Sequence, residues 1–409
     1  MGWKRPSGRV RELIRQGATM IVNSSAESFD KFFSATLASG YPENIADDPM
    51  LVEAIHQSDR SIILHWAAAN VTDPGEPVPA KLGAEAFDYV RGLMQRGVDE
   101  AVVIDQYRIC QNQALQNWMR IALRLTPERD ELRELQTLGT RSITSFVNAT
   151  IAGIRHQMQA ERDEITRRMH LERHKLVTLI LDGAPIASQT AESQLGYRLD
   201  QSHTAAVIWG SETATTPSDL DRAAEALTRT AGERRSLAVP DGAPTRWVWL
   251  PGAAIPDLAG VTTAVRDLPG VRVAVGSTGA GVEGFRASHR EAITTQRTLV
   301  RLGSTRQVAD FADIQLVALI TADPDWANQF ISRTLGDFES ADAELQRTVL
   351  TFVREQCNAS HAAGSLFTHR NTLLNRLARA DKLLPRPLEE NSVHVAVALE
   401  VLSWRGAAN

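Results

Sequence analysis

SHAAGSLFTHRNTLLNRLARADKLL, residues Ser360 to Leu384, is the stretch from which the chain is read. It predicts two helices with a tight joint, Ser360 capping the first and Thr368 the second. Leu373, Leu377, Ala380 and Leu384 recur at i, i+4, i+7 and i+11, which fixes the buried side of the second helix. With about 100° of turn per residue, Asn371, Asn375 and Lys382 then fall near the opposite face, with Thr372 and Arg379 on one flank. Between 360 and 386 the bases are Arg370, Arg376, Arg379, Lys382 and Arg386 and the acid is Asp381, so 5 − 1 = +4. Charge alone leaves two readings open, a DNA-reading helix or a basic surface helix of a small bundle.

A chain of 409 residues implies two or three domains, and 43% hydrophobic content supplies ordinary cores. The net charge of −5 excludes polyanion binding by bulk charge, so any nucleic-acid site must be local. Cys110 and Cys357 are the only cysteines, too few for a disulfide framework or a cysteine-rich zinc site. The basic N-terminus has no apolar core behind it, and no apolar run approaches the roughly 18 residues of a membrane span. A reduced, cytoplasmic setting is expected.

Upstream of the opening stretch, residues 313–409 read as an all-helical domain that contains it. Residues 182–312 change period. Strands at Ala205–Trp209, Ser236–Val239, Arg246–Leu250 and Val271–Gly276 alternate with helices in a ferredoxin-like order, an α+β layout. Gly279 to Gly284 matches G-x-G-x-x-G, but after the last strand of the unit, where glycines shape a turn into the next helix. Residues 161–181 read as a connecting helix. Met158, Ile165 and Leu179 share a seven-residue register that Glu172 interrupts, with Ile154, Met169 and Leu176 beside them. That pattern fits a dimer helix or a solvated helix packed on its own domain. His170, Glu172 and His174 lack a third ligand, so no metal site is expected. Residues 10–160 read as all-helical, with Asp99 capping one helix. They hold no catalytic cluster and no histidine placed for haem, so no cofactor is expected. Trp66, Tyr107 and Trp118 are either core or the wall of a pocket.

Three strings carry family resemblance. THRNTLLNRL (368–377) resembles the PucR-family helix-turn-helix: His369, Arg370, Asn371, Thr372, Leu373, Arg376 and Leu377 match in place, as do Asn358 and Ala363, while Leu374 and Asn375 depart. GVEGFRASHREA (281–292), with LILDG and QLGYRL upstream, is similar to the middle domain of PucR/CdaR-type regulators, related in fold to GGDEF cyclases. The hairpin VPDGAPTRWVW holds Asp241 as its only carboxylate, and the first strand's exit offers Glu212. Two-metal chemistry needs more, so no catalytic residue and no cyclase activity are expected. QRGVDEAVVIDQYRICQNQALQNWM (95–119) resembles the helical N-terminal domain of the stressosome RsbR type.

The resemblance implies a sequence-specific, double-stranded-DNA-binding bacterial transcriptional regulator of metabolic or stress genes. It would answer to a small-molecule or protein effector and act as a homodimer or higher homo-oligomer. The implied DNA contacts are His369, Arg370, Asn371, Thr372, Asn375, Arg376, Arg379 and Lys382. A nucleotide cyclase and a stressosome-like protein scaffold are the competing readings.

Overall fold

The structure, a computed structural model, describes residues 6–37, 48–211, 213–232, 235–242, 244–252 and 258–406. The chain forms two compact units, residues 1–168 and 169–409. The layout is multidomain α and α+β: helices at both ends and a small mixed sheet between them.

The first unit contains α1 (Gly8–Val22), α2 (Ala26–Leu37), α3 (Pro49–Thr72), α4 (Ala84–Gln95), α5 (Glu100–Leu125) and the start of α6 (Arg129–Leu181). Its helix starts are written in the sequence. Asp48 accepts from the N–H groups of Met50 and Leu51 ahead of Pro49, and Asp99 accepts from Ala101 N, as expected of these caps. Trp118 is buried against α6 at Gly139, where a Cβ would lie 1.8 Å from its Nε1, so only glycine fits. Ile154 and Met158, which the heptad reading set in a seam, are 1% and 0% exposed and belong to this unit's core. Ile165, Met169 and Leu179 of the same pattern are exposed. The seven-residue register therefore breaks between Met158 and Ile165, because the first part packs on its own unit.

The second unit begins within α6 and continues through α7 (Ser188–Leu195), β1 (Ser202–Gly210), α8 (Pro217–Thr230), β2 (Leu237–Pro240), β3 (Thr245–Pro251), α9 (Leu258–Val265), β4 (Val271–Val275), β5 (Gly279–Ala280), α10 (Gly281–Arg301) and β6 (Val308–Asp310). The sheet order is β2-β3-β1-β4-β6. The first four strands are antiparallel, with Val207 opposite both Trp247 and Ala274. This is the ferredoxin-like order. β6 extends it in parallel, Val273 facing Val308, through the α10 crossover. Strand alternation sends Ile208, Val248 and Val273 to the α8–α9 face and Val207, Trp249 and Ala274 to the α10 face. β1 is buried on both faces, which explains its unbroken apolar run.

Thr216 caps α8, and Asp219 closes the capping box. Gly281 has φ +64°, and a Cβ on Gly284 would sit 2.1 Å from the Gly279 carbonyl carbon. The glycine motif thus packs β5 tightly against the start of α10.

Six α-helices and a 3-10 turn close the unit among the described residues: α11 (Phe311–Ile320), α12 (Pro324–Leu335), the 3-10 turn at Gly336–Ser340 that bridges α12 to α13, α13 (Ala343–Arg354), α14 (Ala359–Ser365), α15 (Arg370–Asp381) and α16 (Leu388–Trp404). Val349, Ala380, Val395 and Trp404 from these helices lie in one apolar cluster with Val207 and Phe285 from the sheet layer. The sheet layer and the C-terminal helices therefore share a core.

Candidate nucleic-acid interface

Helices α13, α14 and α15 form a three-helix element around a small core of Ala362, Ala363 and Leu373, with Phe352, Leu366 and Leu377 packed on it. The leucine stripe faces inward as the spacing requires. Leu373 and Ala380 are fully buried, and Leu384, in the turn after α15, joins the main core. The capping differs from expectation. Asn358, not Ser360, caps α14, accepting from Ser360 N at 3.0 Å and His361 N at 3.2 Å. His369, not Thr368, is the N-cap residue of α15, without a side-chain cap.

Both joints are Schellman turns. After α13, Gln356 N donates to Val353 O and Cys357 N to Phe352 O; after α14, Phe367 N donates to Gly364 O and Thr368 N to Ala363 O. Gln356, Cys357 and Phe367 have φ of 55°, 60° and 49° and are the non-glycine residues with positive φ among those described. The left-handed turn after α13 lies at Gln356 and Cys357, the two residues before Asn358. The left-handed region costs a non-glycine residue about 1–2 kcal/mol. The element thus carries its strain at the two joints that orient α15.

Seven of the eight anticipated contacts are exposed: His369, Arg370, Asn371, Thr372, Asn375, Arg379 and Lys382. Asn371, Asn375 and Lys382 run down the face opposite Leu373. Arg376 is different. It is half-buried, its Nη2 is 2.5 Å from Glu344 Oε1 on α13, and its Nη1 is 3.5 Å from Thr348 Oγ1. Arg379 also faces α13, 3.6 Å from Asp342. The +4 tally over 360–386 leaves out these two acids, which the fold brings to the helix. Asp381 accepts from Leu388 N at 2.7 Å and so anchors the start of α16. Arg370, Lys382 and Arg386 remain as cations of α15 and the loop after it with no ion pair among the described residues.

Residues 345–402 match the family model of the PucR C-terminal helix-turn-helix domain. The chain carries a PucR helix-turn-helix. Residues 183–298 match a GGDEF-like domain, and the two together are the pairing of PucR/CdaR-type regulators. A solved regulator of polyketide synthase expression from Bifidobacterium adolescentis aligns over 55% of this chain and 90% of that one, at 18% identity and TM-score 0.29, a likeness too loose to carry weight. Comparison with curated proteins gives no significant match.

The PucR element contains one residue that motif reading passes over. Phe367 is 98% exposed, in the joint just ahead of His369. The matched string begins one residue later, so nothing in it marks this side chain; only its backbone angle and exposure do. The GGDEF-like hairpin is occupied by contacts within the chain. Asp241 Oδ1 lies 3.1 Å from His174 Nε2 at the end of α6, and that imidazole stacks on Trp247 at 5.2 Å. His174 is therefore engaged with the hairpin rather than paired with His170, and no group of three metal-ligating side chains occurs among the described residues. Glu212 lies outside the described residues. Among those described, no helix is long and apolar enough to cross a membrane.

Proposed function

We propose that this chain is a cytoplasmic, effector-responsive transcriptional regulator that reads specific double-stranded DNA through α15. The observation that carries this is the exposed stripe Asn371, Asn375 and Lys382, opposite the buried leucine stripe, on the third helix of the α13–α15 element within the PucR helix-turn-helix domain. Asparagine amides suit adenine edges in the major groove, and Arg370 and Lys382 suit phosphates. His369 and Thr372, at the helix start, are assigned to the same surface, and Arg379 to its flank.

In this proposal residues 10–160 sense, 161–181 transmit, 182–312 form a degenerate GGDEF-like domain and 313–409 bind DNA. The change from helix to sheet at β1 and back at α11 supports the last two divisions. The GGDEF-like part is assigned no catalysis. Its hairpin has one carboxylate, Asp241, and that group is held by His174.

Footprinting of the full chain on genomic fragments at several salt concentrations tests the reading. Protected sites should share a two-fold related sequence. Asn371→Ala with Asn375→Ala should cost about 1–3 kcal/mol per lost bidentate contact on that sequence and little on random DNA. Equal protection of all sequences, unchanged in the double variant, would count against specific readout. Turnover of GTP with Mg²⁺ or Mn²⁺, abolished by changes at Asp241, would favour the cyclase reading.

A further inference from the structure

The first unit holds a cavity of about 620 Å³, partly open to solvent and within the range of small-molecule sites. Helical spacing aims three faces at it: Asp59 and Trp66 from α3, Tyr107 and Cys110 from α5, Phe146 and Thr150 from α6. The sequence left the aromatics as core or pocket wall, and they are both. Trp66 and Trp118 pack edge to face at 5.7 Å, their N–H groups donating to Ser142 Oγ and Leu135 O. The unusual member is Asp59. It is 9% exposed, and the group that bonds it is the Cys110 thiol, a weak donor 3.7 Å away. No described cation pairs with it. Burial pushes its carboxyl up to about 7.

A carboxylate among aromatic rings without a counter-charge is costly unless something supplies one. We propose that this cavity binds an organic cation, an amine carried on a flat or linear apolar body, with Asp59 as its anchor. The ammonium meets Asp59, and the body lies against Trp66, Tyr107 and Phe146, whose ring faces also favour cations. The other charged groups lining the cavity are Lys31, Arg120 and Arg124. All three are exposed, and Lys31 is paired with Glu27 at 2.8 Å, so none neutralises the buried carboxyl. The proposal names the effector class for the regulator reading and rests on it for purpose alone, since binding here is measured without DNA.

Calorimetric titration of the full chain with tryptamine, phenethylamine and octylamine is the test, with tryptophol and indole-3-propionate as neutral and anionic analogues of the first. At least one amine should bind saturably, one per chain, and at least tenfold tighter than an analogue of its own shape without the charge. Its affinity should rise about tenfold from pH 6 to pH 8 as Asp59 ionises. Asp59→Asn should erase the preference for charge. Protection needs no variant: the bound amine should slow alkylation of Cys110, which lines the cavity, and leave the exposed Cys357 unaffected. Absence of saturable binding by all three amines, equal binding of amine and alcohol, or full binding to Asp59→Asn overturns the proposal. Amine binding with no DNA recognition under any condition would leave this site standing and remove the regulator reading instead.

Discussion

His289 sits between Trp247 and Trp249, at ring separations of 4.6 and 5.1 Å, and burial alone pulls its pKa down to about 4. An unfolded imidazole titrates near 6.5. Between those values the unfolded chain takes the extra proton. The contribution is therefore complete above about pH 6.5 and fades as pH falls towards 4. At pH 5 the second unit should have lost about 2 kcal/mol through this group. Urea unfolding at pH 7.5 and 5.0 should show that loss, and His289→Phe, which keeps a ring between the tryptophans, should remove most of it. Gln356 gives an opposite case, where the residue is a poor choice for its backbone. Gln356→Gly should raise stability by about 1 kcal/mol, the left-handed cost less the glycine's extra freedom when unfolded. A melting point lowered by that change would show that φ 55° is no burden here. Neither residue announces itself in sequence. A histidine in RASHREA reads as a charged helix surface, and Gln356 reads as the end of a helix, because each environment is made by residues distant along the chain.

At the level of elements, the period-2 pattern identifies four of the strands and their ferredoxin-like order but not β5 or β6, which are two and three residues long, and the leucine stripe orients α15 correctly. Charge was less legible. A local count cannot know that Asp342 and Glu344, more than 25 residues upstream of the helix end, stand beside Arg379 and Arg376. This separates two arginines that the family string treats alike. Arg370 is exposed and, among the described residues, unpaired; its replacement by alanine should weaken binding to all DNA and lower the salt slope by about one. Arg376→Ala should leave that slope unchanged and lower the stability of the α13–α15 element, since it frees Glu344 and uncovers Thr348. The pair is partly exposed, so the loss should be about 1 kcal/mol or less. A slope reduced equally by both changes would return Arg376 to the phosphate contacts.

For the whole molecule, the question is what a second copy would hold on to. Residues 162–169 of α6 are exposed on every side, and Ile165 and Met169 stand one turn apart there with 51% and 44% of their surface open. Leu179 is exposed in the register of Ile165. The heptad was visible in sequence, but where it leaves the core was not, because Ile154 and Met158 look the same as Ile165 until their neighbours are known. A parallel pairing of two α6 helices would cover these residues and bring two PucR helices to one operator, whose half-sites lie about 34 Å apart in helix-turn-helix dimers. Ile165→Glu with Met169→Glu places four like charges in that seam. Sedimentation velocity at micromolar concentration should then show a dimer for the parent chain and a monomer for the variant. The monomer should protect single half-sites, with affinity for the full operator reduced about 10²–10⁴-fold, the loss of linked binding rather than of any DNA contact. Fragments carrying one half-site should bind parent and variant equally. A variant that remains dimeric places the interface elsewhere on the chain, and a monomeric variant with undiminished operator affinity means that one recognition helix suffices.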